Sequence, residues 1–340
     1  MSIIPVEVPT GAIRFNTDSH KMECFDGTKW WEVILSGHEI DGGTRALFGG
    51  MSPNATSAQA QIDYINIAAD GNAADFGNLS VTRLGTGGYG SNTRAIFAGG
   101  QSSNVIDYHE FASTGNFEDF GDLTDQSAYF KGLSNQTRGV NAGGWGPSIN
   151  ASIDYITIAS AGFHAHTFGN LDQAIGGGPG AAASPTRGVF SGGYNPSPAL
   201  NALNVLQYIT IASTGNTHDF GDMAALRTHN AQAWSATRSV IAMGYNKTPS
   251  TGNYDNQATS EYYTFATLGN SSDFGDMINS GISPGGTSNS VRGVWGGGSI
   301  SPNNVIQHVN IPTLGNSVDF GDLQTAGGWC GACSNGHGGL

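Results

Sequence analysis

Short apolar runs recur along the chain, separated by segments rich in Gly, Asn and Ser. One run follows a Thr-Arg or Val-Arg pair and ends in glycine, at 44–50, 93–100, 137–144, 186–193, 237–244 and 291–298. A second run, rich in β-branched and aromatic residues, follows at 62–67, 106–111, 153–158, 206–211, 261–265 and 306–311. Runs of this kind, bounded by turn-forming residues, are typical of strands, and no window sustains the 3.6-residue spacing of a helix. The pattern predicts an all-β protein built from six repeats.

A third element completes each repeat. A Gly-Asn pair, replaced by Gly162-Phe163 in the third copy, precedes Asp-Phe-Gly-Asp or a close variant at 75–78, 119–122, 167–170, 219–222, 273–276 and 319–322. Gly at the first central position is typical of a type II′ turn. The second and third elements are therefore predicted to be antiparallel neighbours joined by a tight hairpin. A looser Gly-rich segment, such as 79–92, then leads to the next arginine and is predicted to be an innermost strand.

The repeat length narrows the architecture. Successive repeat arginines are 44 to 54 residues apart; they are Arg45, Arg94, Arg138, Arg187, Arg238 and Arg292. Four strands per unit at this period predict a six-bladed, kelch-like β-propeller. Residues 326–340 look like an innermost strand with no unit after it. We expect this segment to complete the first blade, whose other strands start at Thr44, so that no sheet edge stays open.

Two repeat positions are predicted to be structural. The phenylalanine of the third element is expected to anchor one sheet against the next; these residues are Phe76, Phe120, Phe168, Phe220, Phe274 and Phe320. Each repeat arginine is expected to pair with a carboxylate of the Asp-Phe-Gly-Asp strand, in its own unit or the next, because buried charges are usually paired. The alternative is a ring of six arginines that binds an anion.

Composition and charge exclude several function classes. The formal net charge is −13, and six of the 13 Lys and Arg residues occupy the same point of the repeat, which leaves no basic stripe for nucleic acid. No apolar stretch approaches the length of a membrane span, and the N-terminus lacks the pattern of a signal peptide. Polar positions recur with the repeat and do not converge as a catalytic group would. The sequence predicts a soluble, non-enzymatic protein without cofactor or metal.

Two groups of residues have partial metal-ligand spacing. His164 and His166 are two apart, as on one strand face, but no third ligand is evident. Cys330, Cys333 and His337 form C-x2-C-x3-H, which supplies three ligands where a structural zinc needs four. A surface histidine pair and small buried thiols are the preferred interpretations. Cys24 is the third cysteine, so a disulfide framework is not expected.

The loops between the first and second runs are the candidate binding face. The topology is expected to place them at one end of the blades, where they carry Trp145, Asn150, Tyr194, Asn195, Tyr245, Asn246 and Tyr254. This mixture of aromatic and amide side chains favours recognition of sugars or proteins. The alternative is that these loops merely tolerate insertion.

The repeats resemble kelch repeats in the glycine pair and in the tyrosine at 64, 108, 155, 208 and 262, although Phe stands where kelch repeats have Trp, and His308 replaces the last tyrosine. The combination of TRGVF, IDYITIASTGN and DFGDL resembles a repeat of structural proteins from marine, particularly cyanobacterial, tailed phages. Residues 11–34, GAIRFNTDSHKMECFDGTKWWEVI, are similar to a short module of phage tail-fibre and other virion proteins. From its residues alone this module is predicted to be a small β-meander.

The resemblance implies an organisation and a role. Residues 1–36 would form an N-terminal β-module for virion attachment or oligomerisation, and residues 37–340 the propeller. The implied function is a non-enzymatic virion structural protein of a tail fibre, tail or capsid surface, made in the bacterial host cytoplasm. Its partners would be other virion proteins, further copies of itself and a host-surface glycan or protein. The alternative is a carbohydrate-active or metal-dependent propeller enzyme.

Overall fold

The computed structural model describes residues 8–16, 21–32, 45–53, 57–146, 149–195, 201–247, 254–299 and 304–340. Every regular element in these ranges is a β-strand. Across the same ranges, no helix is long and apolar enough to cross a membrane. The chain divides into two compact units, Met1–Ile40 and Asp41–Leu340.

The N-terminal unit contains a three-stranded antiparallel sheet in the order β1 (Ile13–Asn16), β2 (Lys21–Phe25) and β3 (Trp30–Glu32). These strands lie where the sequence predicts a β-meander. The turn between β2 and β3 is fixed by the Asp26 carboxylate, which accepts hydrogen bonds from the backbone N–H groups of Thr28 and Lys29 at 2.8 Å. These hydrogen bonds, together with those from the Thr28 hydroxyl and the Trp31 indole, lower the pKa of Asp26.

The second unit consists mainly of six sheets of similar design. In chain order its strands are β4 (Arg45–Gly49), β5 (Gln59–Asn66), β6 (Ala74–Arg83), β7 (Gly87–Gly90), β8 (Arg94–Ala98), β9 (Val105–Glu110), β10 (Glu118–Asp122), β11 (Gly132–Ser134), β12 (Arg138–Ala142), β13 (Ser152–Thr157), β14 (His166–Asn170), β15 (Gly180–Ala183), β16 (Arg187–Ser191), β17 (Tyr194–Asn195), β18 (Asn201–Thr210), β19 (His218–Arg227), β20 (Ala231–Trp234), β21 (Arg238–Ala242), β22 (Tyr245–Lys247), β23 (Tyr254–Asn256), β24 (Thr259–Thr264), β25 (Ser272–Asp276), β26 (Gly285–Ser288), β27 (Arg292–Gly296), β28 (Val305–Asn310), β29 (Val318–Asp322) and β30 (Gly331–Ser334).

Each sheet has the antiparallel order inner, second, third and outer strand. Sheets one to six are β30-β4-β5-β6, β7-β8-β9-β10, β11-β12-β13-β14, β15-β16-β18-β19, β20-β21-β24-β25 and β26-β27-β28-β29. The predicted pairing of the C-terminal segment with the first sheet is confirmed, because Gly331 to Ser334 pair with Gly49 to Ala46. The Asn335 side chain also accepts a hydrogen bond from Arg45 N at 3.0 Å. In the other sheets a residue of the tight turn before the arginine makes this contact, as Ser91 does for Arg94.

The repeated phenylalanine marks a β-bulge. In all six sheets the pairing register between third and outer strands shifts at this residue, as between Asp119 and Gly121 around Phe120. All six of these phenylalanines are buried. Each ring meets the third-strand tyrosine of its own sheet edge-on, for example Tyr155 and Phe168 at 6.0 Å, and His308 takes the place of that tyrosine against Phe320.

The repeat arginines do not pair with the Asp-Phe-Gly-Asp carboxylates among the described residues, so that prediction is wrong. Each guanidinium instead donates to the backbone carbonyl that follows the third strand of the next sheet, as Arg138 does to Ile211 O at 2.7 Å. In sheets one to five it also lies over its own sheet's tyrosine, with Arg138 4.4 Å from the Tyr155 centroid. Each arginine is the first residue of its second strand, and the carbonyl that it binds belongs to the first residue after the next sheet's third strand.

The predicted type II′ hairpins are also wrong. Seven or eight residues connect third and outer strands, as between Asn66 and Ala74, and the Gly-Asn pair binds the outer strand of the preceding sheet. Gly115 N donates to Phe76 O at 2.8 Å, and the Asn116 side chain accepts from Asn78 N at 3.1 Å. The backbone bonds recur between each sheet and the next, including Gly71 N to Phe320 O from the first sheet to the sixth. The outer edge of each sheet is thereby covered.

A third set of hydrogen bonds joins the same neighbours. One third-strand residue per sheet accepts a backbone hydrogen bond from a residue in or just beyond the outer strand of the preceding sheet; these residues are Asp63, Asp107, Asp154, Gln207, Glu261 and Gln307. Asp107 and Glu261 additionally pair with the buried guanidinium groups of Arg83 and Arg227. Asp63 contacts Gln324 N at 2.9 Å and so again links the first sheet to the sixth. The inner strands contact one another in the order β7, β11, β15, β20, β26, β30, and β30 contacts β7.

Candidate functional site

The segments that precede the inner strands form one end of the sheets, together with the segments that follow the second strands. We call this end the loop face. Six equivalent residues here have left-handed backbone: Gly85 (φ +73°), Tyr129 (+59°), Gly178 (+62°), His229 (+56°), Ser283 (+53°) and Trp329 (+62°). Backbone hydrogen bonds connect them from sheet to sheet, such as Tyr129 N to Gly85 O and Gly85 N to Trp329 O, both 2.9 Å. The repeat thus fixes one position per sheet where glycine is the least strained residue.

Three of these six positions carry aromatic side chains, and they belong to alternate sheets. Holding a non-glycine residue in this conformation costs on the order of 1–3 kcal/mol. The rings of Tyr129, His229 and Trp329 meet one another, with centroids 5.2 Å apart for Tyr129 and Trp329 and 5.1 Å for His229 and Trp329. Contacts of this kind contribute about 0.5–1.5 kcal/mol each beyond their buried area. Mutual ring packing therefore offsets part of the strain.

Three of the residues predicted from the loops join this group. Tyr194 and Tyr245 each stack with His229, with centroids at 6.2 and 5.2 Å, and Trp145 contacts Tyr194 at 6.1 Å. Trp145, Tyr194 and Tyr245 occupy equivalent positions, seven residues after their repeat arginines. Each pairs through its backbone with the segment before its own inner strand. We call the six residues Tyr129, Trp145, Tyr194, His229, Tyr245 and Trp329 the aromatic cluster.

The predicted asparagines of these loops make other contacts, and of Tyr254 the structure describes the backbone. Asn150 accepts a hydrogen bond from Ser152 N, and Asn195 pairs with Asn201 in a short extension of sheet four. Asn246 lies in β22, and its Oδ1 atom is buried without a hydrogen-bond partner among the described residues. Tyr254 begins β23, opposite Lys247. The stretches 54–56, 147–148, 196–200, 248–253 and 300–303 of these loops lie outside the described residues.

The aromatic cluster is electrically neutral. Burial, with the nearby Lys131 ammonium, lowers the pKa of His229 to about 3. The Thr228 hydroxyl lies 2.8 Å from Gly177 O, to which it donates, and 3.0 Å from His229 Nδ1. That geometry makes Nδ1 the protonated nitrogen of a neutral ring. Burial also raises the pKa of Tyr129, and it raises that of Tyr194 to about 12.

Lys131 follows Tyr129 by two residues, and its ammonium contributes to the lowered pKa of His229. Its Nζ donates to Pro284 O at 3.0 Å and to Cys330 O, so one side chain of sheet three reaches sheets six and one. Burial lowers the pKa of this half-buried ammonium to about 8. Its hydrogen bonds to carbonyl groups of two other sheets give Lys131 a cross-linking role beneath the loop face.

The opposite end of the inner strands is occupied by the last residues of the chain. His337 is buried, its Nε2 donates to Gly90 O at 3.1 Å, and its Nδ1 accepts from Gly339 N at 3.1 Å. Its ring also contacts Trp234 at 5.3 Å. Burial lowers the pKa of His337 to about 4, which keeps the ring neutral at physiological pH.

The candidate metal residues do not converge. Cys330 and Cys333 are buried in two different apolar clusters, and burial raises the pKa of both thiols, to about 12 for Cys330. His164 lies 3.4 Å from Asp122, whereas His166 packs on Tyr155. Among the described residues no group of three or more His, Cys, Asp or Glu side chains could hold a metal ion.

Sequence reasoning missed Tyr129, His229 and Trp329, which form the centre of the aromatic cluster. They lie in the weakly patterned segments before the inner strands, where no run of apolar residues draws attention to them. Aligning these segments on the repeat arginines provides the signal, because aromatic residues then alternate with Gly85, Gly178 and Ser283. Models of known protein families and characterised proteins give no match to this sequence.

Proposed function

We propose that the six sheets are the blades of a six-bladed, kelch-like β-propeller, and that the protein is a non-enzymatic phage virion component whose loop face serves in host-surface recognition or virion assembly. Three sets of intersheet hydrogen bonds and the contacts between inner strands support the propeller, because each set returns from the sixth sheet to the first. The virion role rests on the repeat and module resemblances described from the sequence.

The aromatic cluster is the observation that carries a binding role. Six aromatic side chains from four sheets gather at one end of the fold, and they vary from sheet to sheet while the structural residues repeat. Residues that break a repeat are where a repeat protein acquires a specific surface, since its repeated residues maintain the sheets. Tyr and Trp supply large contact areas at low entropy cost, so they suit recognition.

The N-terminal sheet supports the attachment or oligomerisation role of residues 1–36. Its register places Ile13, Phe15, Met22 and Trp31 on one face, and their exposed fractions are 64, 56, 45 and 53%. A three-stranded sheet with an exposed apolar face is a typical interaction surface. Light scattering measures the mass of the assembly formed by the full chain and by its Phe15→Asp variant. A lower mass for the variant supports the role, and an equal mass for the two proteins contradicts it.

The virion role is tested on particles. An antibody against the purified protein should label particles from the source culture in electron micrographs, and the protein should remain with them through density-gradient purification. Recovery of the protein only in the particle-free fraction would contradict the proposal.

The propeller is tested by removing residues 331–340. In a closed ring this deletion opens sheet one and destabilises all six sheets together, whereas in an open array it affects mainly one end. Hydrogen exchange should therefore show faster exchange in sheets three and four as well as in sheet one. A circular permutant that places residues 329–336 directly before Arg45 is the control and should restore protection. Normal protection in sheets three and four after the deletion argues for an open array.

A further inference from the structure

A cleft lies beside the aromatic cluster, between sheets two and three. It encloses about 380 Å³ and is lined by Gln101, Ser102, Gln126, Ala128, Tyr129, Trp145 and Gly146. This volume falls in the range of about 300–1,000 Å³ that is typical of small-molecule sites. Trp145 is 45% exposed, and both glutamine side chains are exposed, so the cleft is open to a ligand from solution.

The lining combines two aromatic rings with amide and hydroxyl groups. Gln101 and Gln126 can each donate and accept hydrogen bonds, and the Ser102 hydroxyl can do both. Sugar hydroxyls need mixed donors and acceptors of this kind, while the C–H face of a pyranose ring packs on an exposed aromatic ring. The exposed indole of Trp145 provides such a surface next to the amides.

Charge selects among the sugars. The lining contains no charged residue among the described ones, Asp125 is exposed next to Gln126, and the whole chain carries a net charge of −13. An acidic glycan would meet no cation in the cleft and would be repelled by the surrounding protein. The cleft therefore favours a neutral saccharide.

The backbone around the cleft is fixed before any ligand binds. Ala128 and Trp145 exchange two backbone hydrogen bonds of 2.8 Å, and Gln101 N donates to Leu84 O at 2.8 Å. Ser102 and Tyr129 have φ near +59°, a strained conformation that tends to occur at functional sites. Because the backbone N–H and C=O groups of Ala128 and Trp145 bond to each other, these two residues offer no free backbone groups to which an extended peptide could add. A preformed site also avoids the cost of ordering loops on binding.

We propose that this cleft binds a neutral saccharide, with a pyranose ring stacked on Trp145 and its hydroxyl groups bound by Gln101 and Gln126. The proposal rests on the recognition role proposed for the loop face, and it names the class of ligand. The saccharide could belong to a cell-surface polysaccharide or be free in solution, and both sources present the same chemistry.

The test is binding of the full-length protein to an array of immobilised neutral and acidic oligosaccharides, with competition by free neutral hexoses. We expect binding to neutral members, and at least a tenfold loss of affinity in Trp145→Ala and in Gln126→Ala. Phe163→Ala is the matched control, since that ring is 65% exposed outside the cleft, and it should bind normally. Competition by free hexose but not by polysaccharide would identify a free sugar as the ligand.

Several outcomes would overturn the inference. They are the absence of binding to every neutral saccharide, a preference for acidic ones, or equal loss of affinity in Phe163→Ala and Trp145→Ala. Binding of whole host cells without binding of neutral saccharides would refute this inference alone and leave the recognition role standing. Circular dichroism of each variant excludes misfolding as the cause of a loss.

Discussion

The Arg83–Asp107 ion pair joins sheets one and two, and its removal gives the sharpest test of how the sheets are connected. Arg83 Nη2 lies 2.7 Å from Asp107 Oδ2, and the two side chains are 1% and 0% exposed. Arg83 also donates to Val105 O and Phe97 O. Arg83→Met keeps the apolar stem but leaves the Asp107 carboxylate buried without its cation.

Breaking a buried pair from one side costs about 3–5 kcal/mol, whereas neutralising both partners is often close to neutral. The fold supports this expectation, because Gln207 in sheet four and Gln307 in sheet six occupy the position of Asp107, and neither contacts an arginine among the described residues. We therefore expect Arg83→Met to lose about 3–5 kcal/mol of unfolding free energy. The double variant Arg83→Met/Asp107→Asn should recover most of that loss.

Urea unfolding followed by tryptophan fluorescence and by circular dichroism measures both variants, and coincident transitions justify the two-state treatment. Arg227→Met with Glu261→Gln repeats the experiment between sheets four and five, where the pair is 2.9 Å apart. A loss below about 1 kcal/mol in Arg83→Met, where about 3–5 is expected, or no recovery in the double variant, would refute the reasoning.

Three further predictions concern stability. Arg138→Met should lose about 2 kcal/mol of unfolding free energy, because it removes a charged hydrogen bond to Ile211 O and a cation–π contact with Tyr155. Arg138→Lys should lose less in the same urea experiment. Equal stability of the wild type and both variants would contradict the role of these contacts. Gly221→Ala should lose about 2–4 kcal/mol of unfolding free energy, because the added Cβ would lie 2.4 Å from Gly269 O at φ +145°. In the control Gly215→Ala nothing lies within 4 Å of the added Cβ, so the loss should be smaller. Similar melting temperatures for the two variants would count against the tight contact. Burial raises the pKa of Asp154. The carboxyl group therefore makes its full contribution to stability below its pKa in the unfolded chain, and that contribution is lost as the pH rises through its pKa in the folded protein. Asp154→Asn should therefore be more stable than the wild type at pH 7 and lose that advantage near pH 4, and thermal unfolding that shows a pH-independent difference would disprove the mechanism.

The sequence by itself determined the local units of this protein. Period-two and consecutive apolar runs specify strands through burial of their side chains, and their repetition every 44 to 54 residues specifies six similar sheets. The same pattern identified residues 326–340 as a strand without a following unit, which pairs with Arg45–Gly49. These features depend on neighbours close in sequence or on simple counting, so no coordinates are needed to find them.

Only the tertiary structure decided which polar groups meet between sheets. Arg138 binds a carbonyl 73 residues away, and Gly115 binds the carbonyl of Phe76 in the preceding sheet. Both groups have several chemically acceptable partners, and the sequence does not rank them because intersheet distance and orientation make the choice. The aromatic cluster follows the same logic: Tyr129, His229 and Trp329 are 200 residues apart from first to last, and they touch because the starts of their inner strands are brought together at one end of the fold.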